Sequence, residues 1–128
     1  MTYHFSKTVY LSMDAAVAKV TDALKQEGFG ILTEIDVQKT LKTKIDVDFR
    51  PYRILGACNP GFAHKALLAE DQIGTMLPCN VIVQETSPGT VEVSAVDPVE
   101  SMKAITNPAL GKIAGEVRSR LQHVIAQL

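Results

Sequence analysis

The segment Ser87-Pro88-Gly89-Thr90 constrains the fold of this chain more than any other. It separates two runs, Leu77 to Glu85 and Val91 to Val96, that are rich in β-branched residues. Proline and glycine together punctuate a turn, and two strands joined by a four-residue loop pair antiparallel as a hairpin. The chain must therefore build an at least partly antiparallel sheet. Its helices have to find places on that sheet.

The remaining elements follow from period and punctuation. Residues 3–11 read as a strand. Ser12 caps a helix with Asp14 in its first turn, and Met13, Val17, Val20 and Leu24 form one apolar stripe. Gly28 suits a left-handed helix end, and Gly30 releases the chain into a strand. Ile31 to Gln38 alternates, with Ile31, Thr33, Ile35 and Val37 on one side and Leu32, Glu34, Asp36 and Gln38 on the other. Val37, Leu41 and Ile45 predict a short helix that Arg50-Pro51 breaks. Residues 52–58 return to strand. Asn59 caps and Pro60 opens a helix running to about Asp71, with Phe62, Ala66 and Leu67 turned inward. Gly74 marks a loop, and Asp97-Pro98 ends the hairpin. Asn107-Pro108 opens a last helix whose stripe is Leu110, Ile113, Val117, Leu121, Val124 and Leu128, with Glu116 and Arg120 paired on its exposed side.

The order is β-α-β-(short α)-β-α-β-β-α in a single domain of residues 1–128. A two-layer α+β sandwich satisfies it: a mainly antiparallel sheet with helices packed on one face. An apolar uncovered face would favour a homodimer that covers it.

Composition narrows the partners. A chain of 128 residues with 46% apolar and 21% charged residues can bury one core and is not a disordered polymer. A net charge of -1 gives no field to hold nucleic acid or an anionic membrane. Lys39, Lys42 and Lys44 form the densest basic stretch, which reads as a solvated face. No transmembrane run and no signal core are present, so a complete chain would be cytoplasmic with reduced thiols.

Two segments join turn chemistry to thiol chemistry: Ala57-Cys58-Asn59-Pro60 and Leu77-Pro78-Cys79-Asn80. Cys58 lies one residue before a helix cap, where unpaired amides and the helix dipole favour a thiolate or an anionic ligand. Pro78 cannot donate to a sheet ladder, so Cys79 falls at a strand end or edge. Free cysteine also serves as a small buried hydrophobe, and both cysteines fit that reading. Zinc is a poor fit, because there is no Cys-x-x-Cys and only His4, His64 and His123 as further donors. His64 would complete a cysteine–histidine pair if it approached Cys58; otherwise it is a surface histidine. Glu34 and Asp36 share a strand side as acid–base carboxylates do, or as a wet sheet face does. Gly28-Phe29-Gly30 lacks the third glycine of a dinucleotide loop.

Three ordered blocks carry a family resemblance: Gly28 to Val37, Tyr52 to Pro60, and Ile73 to Val81. Together they resemble the domain of unknown function 302 family over essentially the whole chain. The resemblance implies a small α+β fold of antiparallel sheet and helices, often homodimeric, with no settled reaction. It marks Cys58, Asn59, Pro60, Pro78 and Cys79 as motif positions, and Glu34 and Asp36 as an acidic strand.

Three functional readings result, with the cofactor left open. The first is a small-ligand or soft-metal site, for instance for copper(I), beside Cys58 and Cys79. The second is a thiol enzyme or redox partner with Cys58 attacking and Cys79 resolving. The third is a non-catalytic dimerisation or interaction module in which the cysteines only pack.

Overall fold

A computed structural model describes residues 2–128. Its elements are β1 (His4–Val9), α1 (Met13–Gln26), β2 (Gly30–Asp36), α2 (Val37–Ile45), β3 (Tyr52–Cys58), α3 (Pro60–Ala69), a 3₁₀ helix (Asp71–Met76), β4 (Cys79–Ser87), β5 (Thr90–Val96), α4 (Pro98–Ser101) and α5 (Pro108–Ala126). The five strands form one sheet in the order β1-β5-β4-β3-β2, and every neighbouring pair is antiparallel. This is the α+β architecture expected.

The register decides which side chains meet the helices. Phe5, Ala95, Val81 and Leu55 lie across one row of four strands; Lys7, Val93, Val83 and Arg53 lie across the next. Paired residues share a sheet face, so these rows belong to one side. That side packs on Ala16, Val20 and Leu24 of α1 and on Val117, Leu121 and Val124 of α5. The helix stripes predicted from spacing are thus the inner surface of the helical layer.

Helix ends follow local chemistry. Ser12 accepts from the Ala15 amide at 3.2 Å, and Asp36 accepts from the Lys39 amide at 2.9 Å. Gly28 adopts φ +85°, while the Phe29 amide bonds back to the Leu24 carbonyl at 2.9 Å. That pairing closes α1 as a left-handed cap should.

Several expectations need correction. β2 carries a bulge between Ile31 and Thr33, so its alternation changes phase there. Ile31 packs with the helices, whereas Ile35 pairs with Ile54 on the open side and is 47% exposed. The inward helix after Pro60 ends at Ala69, and Leu67 and Leu68 lie outside. The segment read as a loop around Gly74 is a 3₁₀ helix that buries Ile73 completely. β4 begins at Cys79 rather than Leu77, after a cis Leu77–Pro78 bond. Asp97-Pro98 does more than end a strand. Asp97 accepts from the Val99 amide at 3.0 Å and caps α4. Arg120 does not pair with Glu116 but donates to the Glu27 carbonyl at 3.1 Å.

A second hydrophobic cluster forms outside the main one, from Ala66, Ile73 and Leu110 with Leu77, Met102, Ile105 and Ile113 around them. It joins α3, the 3₁₀ helix and the start of α5. The cavity described next lies where the two clusters meet.

Candidate functional site

β3 and β4 bring the two cysteine segments together. Ala57 pairs with Cys79, which puts Cys58 one step beyond the cross-strand partner of Cys79. Cys58 closes β3, and Asn59 turns the chain into α3 by accepting from the Phe62 amide at 3.3 Å. Pro60 occupies the first turn, where its missing N–H leaves no orphan. The Asn59 side chain lies against Gly28, so close that a β-carbon there would come within 2.9 Å of its amide nitrogen. The end of α1 and the start of α3 are thereby packed together.

Both cysteines line one cavity of about 40 Å³. Phe29, Phe62, Ala66, Leu77, Leu110 and Val117 supply much of its apolar wall. Met102 lines it as well. Three sulfur-bearing residues therefore border a space with room for a few atoms.

The two thiols stand in unequal surroundings. Cys58 is half-buried, whereas Cys79 is buried and belongs to the main core. Burial pushes the Cys79 thiol up from an ordinary 9.0 to about 11, and the charge of a nearby ionised Cys58 pushes in the same direction. At neutral pH Cys79 is a neutral thiol. A buried, protonated thiol exchanges slowly and is no resolving group poised for attack.

The other candidates divide between this cavity, which Asn59 also lines, and the rest of the molecule. Pro78 lines it beside Cys79. His64 is exposed on α3 and is not part of the lining, so no cysteine–histidine pair forms. Glu34 bonds Arg53 at 3.4 Å, and Arg53 also bonds Asp14 at 3.1 Å. Asp36 is occupied as the cap of α2. Asp36 pairs with Arg53, and Gly30, at the other end of β2, pairs with Cys58. The five-residue step from Arg53 to Cys58 spans roughly 17 Å of strand, so the carboxylates serve the far end. Among the described residues, no group of three or more histidines, cysteines and carboxylates could hold a metal ion. A methionine falls outside such a donor set.

Met102 was not a sequence candidate. The signal that could have found it is the Asp97-Pro98 step, which repeats the cap-then-proline grammar of Asn59-Pro60 and Asn107-Pro108. Read that way, it starts a short helix whose end delivers Met102 to the cavity.

The family model for the domain of unknown function DUF302 matches residues 5–128. The chain belongs to the DUF302 family. It is similar to an uncharacterized conserved DUF302 protein from Bacillus stearothermophilus known from a crystal structure. The identity is 30% and the TM-score 0.90, over 99% of this chain and 98% of that one. No curated protein matches the sequence. The DUF302 fold accounts for the strand order and for the meeting of the two cysteine segments. Membership carries no reaction with it. No helix among the described residues is long and apolar enough to cross a membrane.

Proposed function

We propose that this DUF302 protein binds a soft monovalent metal ion, copper(I) by chemistry, at the cavity bordered by Cys58, Cys79 and Met102. The observation that carries the reading is the convergence of these three residues on one small apolar space. Size supports an ion over a metabolite. Small-molecule pockets run to roughly 300–1,000 Å³, whereas this cavity is about 40 Å³. Softness supports copper(I), because thiolate and thioether sulfur select it over hard ions.

Charge supports the same choice. An apolar wall penalises any net charge placed inside it. One thiolate with copper(I) and neutral sulfur partners sums to zero. A divalent ion with the same donors leaves a buried positive charge. The one cysteine that binds as thiolate gives up its proton to do so, which makes affinity rise with pH. Burial, which pushes the Cys79 thiol up to about 11, weighs against Cys79 as a resolving thiol.

Competition between the reduced protein and a chromogenic copper(I) chelator tests this. One ion per chain is expected. Losing an outer-shell partner already costs about 10–100-fold in metal affinity, so Cys58→Ser and Cys79→Ser should each cost at least that. Met102→Leu should cost less. Undiminished copper(I) uptake by the double serine variant would show that the ion sits elsewhere.

A further inference from the structure

The sheet face away from α1 and α5 carries a second, unrelated arrangement. A trough of about 430 Å³ runs across it, its lining including Tyr3, Arg50, Tyr52, Ile82, Glu92 and Ser94. An apolar face waiting for a second copy would show branched aliphatic rows. This one carries a single such row, Ile35, Ile54 and Ile82, which runs into Ser94 and is flanked by two polar chains.

The first chain starts at Arg50, whose Nε donates to Gln84 Oε1 at 2.9 Å. Gln84 Nε2 donates in turn to Glu92 Oε1 at 3.2 Å. Gln84 and Glu92 face each other across β4 and β5, so strand register fixes the chain. The second chain links His4 Nδ1 to Ser6 Oγ at 2.8 Å and Ser6 Oγ to Ser94 Oγ at 2.7 Å. Ser6 and Ser94 are also register partners. Glu92 and Ser94 lie two apart on β5, which brings both chains to one face.

Arg50 is the distinctive member. Its guanidinium sits 4.4 Å from the Phe49 ring centroid and 5.7 Å from that of Tyr52. Gln84 fixes its Nε edge. Among the described residues no carboxylate pairs with it, while its Nη edge carries a planar fork suited to carboxylate. The trough floor is partly aliphatic at Ile82 and Val96, with Tyr52 beside Arg50 at one end and Tyr3 at the other.

We propose that this trough binds a small aromatic carboxylate, its anionic end on Arg50, its ring over Ile82 beside Tyr52 and a hydroxyl toward Glu92 and Ser94. Charge complementarity fixes the polarity: the cation lies at one end, and the acceptor Glu92 lies one strand beyond Gln84. The volume falls within the range of small-molecule sites, unlike that of the sulfur cavity. This proposal is independent of metal binding.

The probe is 4-hydroxybenzoate, titrated into the isotope-labelled protein and followed by amide chemical shifts. 4-hydroxybenzyl alcohol, which has no charge, is the control. Saturable shifts are expected at Arg50–Tyr52, Ile82–Gln84 and Glu92–Val96, with the alcohol at least about tenfold weaker, the weight of one charge-assisted pair. Arg50→Met keeps the alkyl stem against Phe49 and Tyr52, and it should abolish the preference for the acid. Arg50 is exposed, so that variant should fold. Equal binding of acid and alcohol would overturn the proposal, as would unchanged binding by the variant or shifts confined to other residues. A dimer, seen by sedimentation and closing this face to the probe, would overturn it as well.

Discussion

Gly56→Ala tests how the cysteine segments are held together. Gly56 lies in the middle of β3, and its conformation asks for no glycine. Space does. A β-carbon there would lie 2.1 Å from Thr33 Oγ1 and 2.7 Å from Pro78 Cγ. Both separations are far inside the ~3.5–4.0 Å at which carbon contacts are favourable. Thr33 can rotate its hydroxyl away. Pro78 is a rigid ring next to Cys79, so relief there requires β4 to shift. Overpacking of this kind costs about 1–3 kcal/mol. At roughly 3–5 °C per kcal/mol for a chain of this size, calorimetry should show a fall of about 3–15 °C. Thr33→Ala in the Gly56→Ala background should return part of that loss and leave the Pro78 part. The double-mutant cycle should give a coupling of ~0.5 kcal/mol or more. A Gly56→Ala protein as stable as its parent would refute the close approach of β2, β3 and Pro78.

Two further outcomes follow from buried groups. The folded Cys79 titrates near 11 and an ordinary thiol near 9.0, so the unfolded chain loses its proton first. Stability is therefore full below the lower value, falls as pH rises between the two, and loses up to about 3 kcal/mol. Urea melts across that range should show the fall, and Cys79→Ala should remove that component. Asp97 is 2% exposed, caps α4 and bonds Arg118 Nε at 3.3 Å. Asp97→Ala should cost about 1–3 kcal/mol in denaturant unfolding, and Asp97→Asn less, because the amide oxygen still caps.

Much of the fold was legible because its signals are local. Helix stripes, the Ser12 and Asn59 caps and the Gly28 terminus each depend on a few neighbours. The bulge at Leu32 was not legible, because it arises from pairing with Ala57 and Gly56 rather than from the alternating pattern. Arg120 was read with Glu116, its neighbour on the helix, but long-range packing sends it to Glu27 and over the Phe62 ring. For the site, sequence found Cys58 and Cys79 through their prolines. It could not show that they share a cavity, since that depends on β3–β4 register. His64 kept two readings, because position on a helix does not reveal which way the helix faces, and the structure places it on the surface. Met102 lay hidden because the second hydrophobic cluster is assembled from four separate segments.

The central claim is that copper(I) is held by cavity sulfur. X-ray absorption at the copper edge, on reduced protein carrying one equivalent of copper(I), addresses it most directly. A first shell of sulfur alone is predicted, lost when Cys58 and Cys79 are both serine. A shell of nitrogen or oxygen, or a spectrum unchanged in that double variant, would contradict it.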